Sequence, residues 1–103
     1  MHIVTSKTQT PIRITRERWA HIIRRHPEMS GQLHKVAQTV SDPDLIQQGD
    51  FGEFLAVRFF AKTPVTRKHL VAAYRETDPA NGFIITAYFT NTPSDGRSIT
   101  WMR

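Results

Sequence analysis

The chain has 103 residues, 39% of them hydrophobic, no cysteine and a formal net charge of +5. That length supports one core and a single domain over residues 1–103, and the missing cysteine excludes disulfides, thiolate metal sites and a cysteine nucleophile. Neither a long apolar run nor a basic-then-apolar leader is written here, so the expectation is a cytoplasmic protein with no membrane partner.

Residues 11–14, Pro-Ile-Arg-Ile, read as a short strand or extended lead-in. Thr15 is placed to cap a helix whose first turn carries Glu17, an acid suited to the positive end of the dipole. Over residues 15–26, Trp19, Ile22, Ile23 and His26 share one stripe, while Arg16, Arg24 and Arg25 lie away from it. The helix thus buries a narrow face and exposes a cationic one. Pro27 ends it, because the residue before a proline is pushed out of the helical region. A second helix is expected from near Met29 or Ser30 to about Ser41, with Leu33, Val36, Ala37 and Val40 as its apolar stripe and Asp42-Pro43-Asp44 closing it.

From there the hydrophobic period changes from about 3.6 to 2. Strands are expected over residues 45–46, 53–61, 68–77 and 83–90, divided by turn-forming segments at 48–50, 62–64 and 78–82. Connections this short make successive strands antiparallel neighbours. The expected fold class is α+β, with two N-terminal helices packed on a three- to four-stranded antiparallel meander. The tail after Thr90 is expected to be a loop, in which residues 99–102 add an edge strand or dock Trp101 on the body.

Charge is unevenly placed. Residues 1–35 hold seven Lys and Arg against two acids, whereas residues 36–103 hold seven of each. The whole excess therefore sits on the N-terminal third, with His21, His26 and His34 among it. A localised basic surface attracts polyanions, a phosphate backbone above all; a generic basic helix surface and a docking face for an acidic protein are the other readings. Arg16, Arg18, Arg24, Arg25 and Lys35 are accordingly the candidate nucleic-acid contacts.

Three groups carry candidate chemistry. In residues 83–90, strand alternation puts Ile84, Thr86, Tyr88 and Thr90 on one face and Phe83, Ile85, Ala87 and Phe89 on a core face. The hydroxyls of Thr86 and Tyr88 then either line a solvated face or meet a ligand. Arg58 shares a strand face with Phe54, Ala56 and Phe60, where a lone charge needs a partner. Glu76 or Asp50 is the structural candidate, and a phosphate the functional one. His21 and His26 are five residues apart, a turn of about 140° on a regular helix, so they do not both face one site directly. Their spacing is also wrong for a two-histidine zinc motif, and neither a metal site nor a cofactor is expected.

In order along the chain, ITRERWAHIIRRHPE at residues 14–28, a short helix, SDPDLI at 41–46, a strand pair and FIITAY at 83–88 resemble the PBECR-like nucleases. That group is named for phage barnase, EndoU, colicin and RelE-like ribonucleases, and is similar to domains at the ends of phage head-morphogenesis and contact-toxin proteins. The resemblance covers about residues 12–90. It implies a BECR (RelE-like) fold, with N-terminal helices on a curved antiparallel sheet of about four strands, and metal-independent RNA cleavage in the opposite groove. Position by position it points to His21, His26, Arg58, Thr86 and Tyr88 as the catalytic set. A toxin or phage-related endoribonuclease is thus expected, acting on RNA, tRNA included, and paired with an acidic inhibitor or antitoxin.

Such cleavage needs a base for the 2′-hydroxyl proton, an acid for the leaving 5′-oxygen, and cations around phosphorus. His21 or His26 is the base, or one is the base and Tyr88 a proton donor or phosphate anchor; Arg58 and Thr86 hold the non-bridging oxygens. The product ends in a 2′,3′-cyclic phosphate, and DNA survives. The alternatives are a non-catalytic RNA-binding module, in which Phe60, Tyr74 or Tyr88 stacks bases, and a toxin-like protein-interaction domain.

Overall fold

The computed structural model describes residues 1–103. Two short strands, β1 (His2–Thr5) and β2 (Pro11–Ile14), precede helix α1 (Arg16–Arg25), a 3₁₀ turn (Pro27–Met29) and helix α2 (Leu33–Ser41). Then follow β3 (Leu45–Gln48), β4 (Phe54–Phe59), β5 (His69–Asp78), β6 (Asn81–Thr90) and β7 (Ile99–Met102). All seven strands form one sheet in the order β1-β2-β6-β5-β4-β3-β7. No helix is long and apolar enough to cross a membrane.

This sheet overturns the expected architecture of two helices on a three- to four-stranded meander. Strands β3 to β6 are successive antiparallel neighbours, but they form the middle of a seven-stranded mixed sheet, and the chain is 41% strand and 21% helix. The added strands are four residues each. Segments that short hold barely two alternations, so their pattern is weak; β1 is decided by its hairpin with β2, and β2 and β7 by pairing with distant chain. β2 joins β6 in parallel at only Ile12↔Gly82 and Arg13↔Phe83. Glycine is required here: a Cβ on Gly82 would lie 2.7 Å from the Arg75 carbonyl oxygen of β5, as well as 2.5 Å from Ile12 Cδ1 of β2. The second helix starts at Leu33, the first residue of its apolar stripe, rather than near Met29 or Ser30, because Pro27–Met29 forms its own 3₁₀ turn.

Both helices pack on one face of the sheet. Ile22 of α1 and Val36 and Val40 of α2 are fully buried in one cluster with Leu70, Ala72 and Ala87 of the central strands. On the opposite face Leu55, Val57, Val71 and Ala73 form a smaller cluster, with Ile85 and Tyr88 against it. Residues 91–98 carry the chain from β6 to the far edge past this second face, where the buried Gln47 side chain donates from Nε2 to the Ser94 carbonyl at 2.7 Å. The sheet curls enough that its first hairpin meets its last strand: Lys7 Nζ lies 4.8 Å from the centre of the Trp101 ring.

Candidate functional site

Helix α1 begins as expected. Thr15 is extended (φ −76°, ψ 157°) and its Oγ1 accepts from the Arg18 amide at 3.1 Å, which satisfies an orphan donor of the first turn. Arg18, His21 and Arg25 follow at spacings of three and four, so they share one stripe, while Ile22 is buried on the other side. Since β2 stops pairing at Phe83, the rest of that edge of β6 has no strand neighbour, and α1 lies along it. The Arg18 guanidinium reaches to 3.5 Å from the Ile85 carbonyl oxygen.

A bulge in β6 determines which side chains face this helix. The register runs from Ala73↔Thr86 to Tyr74↔Ile84, leaving Ile85 as an extra residue. Regular alternation is broken there. Ile84, Ala87 and Phe89 join the helix-covered core, and Ile85 and Tyr88 pack on the opposite face. The reading that set Ile84 beside Thr86 and Ile85 in the core is therefore corrected by one inserted residue.

The two histidines also line one cleft, which a continuous helix would not give them. The helix ends at Arg25, and His26, held before Pro27, adopts φ −134° and ψ 78°. Its amide still donates to Ile22 O at 2.7 Å, and its side chain lines the same cleft as His21. Its ring lies 5.6 Å from that of Tyr88, tilted by 33°. One open cleft of about 260 Å³ is lined by Arg18, His21, Arg25, His26, Ile85 and Thr86. A second, of about 360 Å³, adjoins it on α1 and shares Arg18 and His21, adding Thr15, Glu17 and Arg24. Arg16, Arg18, Arg24 and Arg25 make no ion pair; the chain's ion pairs all involve other arginines.

Of the residues selected from sequence, His21, His26, Thr86 and Tyr88 are brought together, with Arg18 and Arg25 as the adjoining cations. Arg58 is not. It stands on the helix-covered side of β4, and its Nη1 donates to the Asp42 carbonyl at 2.5 Å and to Asp42 Oδ2 at 3.2 Å. There it caps the C-terminal end of α2, where a cation suits the dipole, with its guanidinium 5.6 Å from the Phe60 ring centre. Neither acid proposed for it is the partner: Glu76 accepts from Ser6 and Thr8, and Asp50 pairs with Arg97. Lys35 lies on α2 and donates to Gln32 Oε1 at 2.9 Å, and Arg16 lines a separate hollow beside Trp19. The rise of Arg18 and Arg25 from general contacts to cleft residues was available in the sequence as their spacing from His21.

A comparison with known protein families, curated proteins and solved structures finds no match to this chain.

Proposed function

We propose that the chain is an endoribonuclease that cuts RNA through attack of the 2′-hydroxyl on the adjacent phosphorus, without a metal ion. The observation that carries this reading is a single cleft whose lining offers two imidazoles, two guanidiniums and a hydroxyl, and no carboxylate. In the proposed reaction, one of His21 and His26 takes the 2′-hydroxyl proton as oxygen bonds to phosphorus. The other returns a proton to the departing 5′-oxygen, leaving a 2′,3′-cyclic phosphate and a free 5′-hydroxyl. Arg18 and Arg25 neutralise the non-bridging oxygens as their charge grows, and the Thr86 hydroxyl donates to one of them. Tyr88, against the His26 ring, fixes its orientation or anchors the phosphate.

The unpaired arginines of α1 support RNA, tRNA included, as the polyanion, and an acidic inhibitor or antitoxin would imitate it. The resemblance to the PBECR-like nucleases supports the activity and the histidine, threonine and tyrosine positions. It is not extended to the architecture or to Arg58.

The test is incubation of the wild type with labelled total RNA and single-stranded DNA in EDTA, beside His21→Ala and His26→Ala. The expected result is RNA cut to cyclic-phosphate ends and intact DNA. Each variant should lose roughly 10²- to 10⁴-fold in rate. RNA bound in a salt-sensitive way but never cut would overturn catalysis and leave a binding module.

A further inference from the structure

The curl of the sheet encloses a second, chemically different hollow. Where the turn at residues 6–10 meets β7, a cavity of about 150 Å³ is lined by Ile46, Phe54, Tyr74, Glu76, Trp101 and two threonines, Thr8 and Thr100. That is the size of a cavity that admits one benzene-sized guest. Its aromatic wall is preformed, for Phe54 and Tyr74 are cross-strand partners with ring centres 5.7 Å apart.

One of its polar groups is unfinished. Tyr74 is 1% exposed, so its ring backs Phe54 rather than facing the hollow, and its hydroxyl is not one of the buried side-chain atoms left without a partner. Burial, and then the charge of Glu76, hold that phenol protonated well above its usual range. Glu76 has no cationic partner; the Ser6 and Thr8 hydroxyls both donate to Oε2, at 2.6 and 2.5 Å, and Oε1 accepts none. A carboxylate without a counter-ion, beside the partly exposed rings of Phe54 and Trp101, is the complement of a cation too greasy to be held by water. Ammonium groups over aromatic faces gain most where they are desolvated, and quaternary ammonium ions cost least to strip of water. The Trp101 ring already attracts one ammonium from the exposed Lys7, which lies beside the lining rather than within it.

We propose that this cavity binds a small quaternary ammonium ion, held by the rings of Phe54 and Trp101 and by the charge of Glu76. The proposal does not depend on the ribonuclease reading, since the α1–β6 cleft shares no lining residue with it.

The experiment titrates choline into the full chain and follows the two tryptophan indole N–H signals by NMR, Trp101 being assigned with Trp101→Phe. The neutral isostere 3,3-dimethylbutanol is titrated in parallel, as is Nα-acetyl-trimethyl-lysine, which carries the same headgroup on a side chain. Saturable choline binding that moves Trp101 and leaves Trp19 in place is expected, at least about tenfold tighter than the neutral isostere. The tighter of the two cations shows whether the natural ligand is free or borne on a protein. Glu76→Gln keeps the shape and removes the charge, and should lose that preference while the Trp19 signal reports an intact fold. No saturation with either cation, or equal binding of the neutral isostere by the wild type, would overturn the proposal.

Discussion

Arginine has two different circumstances in this molecule. At the end of α2, Asp42 receives both Arg58 and Arg103, and Asp44 lies 3.8 Å from Arg103 Nε, so the charges close on one another and fasten β7 and β4 to the helix. Along α1, four arginines make no ion pair, and three of them, Arg18, Arg24 and Arg25, line the two adjoining clefts. Paired charge at one end is structure. Unpaired charge at the other, where like-charged neighbours repel, is a cost that a bound polyanion relieves. Two histidines accompany the unpaired set and none the paired one.

Substitutions break this contrast in graded ways. The largest effect belongs to the cleft: His21→Ala and His26→Ala abolish most cleavage in a ribonuclease assay while the thermal midpoint stays close to the wild type. Next comes the packing beneath it. Ile22 is fully buried on the far side of α1, and Ile22→Ala should cost about 2–5 kcal/mol by denaturant titration, loosening the helix from the sheet. Arg18→Ala and Arg25→Ala weaken RNA binding and lower its salt dependence, by about one unit of slope per lost phosphate contact, without lowering the thermal midpoint. Arg58→Ala gives the opposite pair of outcomes, a lower midpoint, by less than Ile22→Ala, with RNA affinity retained.

The smallest effect is a pH dependence of the paired end. The Arg103 hydrogen bond, opposed in part by desolvation and reinforced by the charges of Arg103 and Arg58, holds the Asp42 carboxyl below its usual range. A carboxyl lowered on folding contributes stability above its unfolded value, and that contribution fades as pH falls through the lower folded value. Acid titration below the ordinary carboxylate range should therefore loosen β7 first, seen in the Trp101 indole signal, and Asp42→Asn should flatten that limb.

What could be read from sequence follows from the range of each cause. Helix α1 was legible because its signals are local: a threonine cap, an acid in the first turn, and a proline after His26. The central strands were legible from their period. The parallel contact of β2 with β6 was not, since Ile12 and Gly82 are distant in the chain, and the glycine is explained only once the fold brings the Arg75 carbonyl and the Ile12 side chain against it. The bulge at Ile85 changes which residues face the core with no local mark in a run of good strand formers, yet Thr86 and Tyr88 remained on the face read for them. The pairing of Arg58 with Asp42 was missed because the fold, not proximity in sequence, joins β4 to the end of α2. His21 and His26 were legible as candidates, and the proline that parts them from a common helix is also what returns them to one cleft.

The most direct test of the contrast between the two ends is an NMR titration with a 2′-deoxy oligonucleotide, which has the phosphates of the proposed RNA substrate but lacks the internal nucleophile. The account predicts that shifts concentrate on His21, His26, Thr86 and the amides of α1, and that residues around Arg58 and Asp42 stay unmoved. Shifts centred on Arg58, Phe60 and Lys35 with a silent α1–β6 cleft would contradict it.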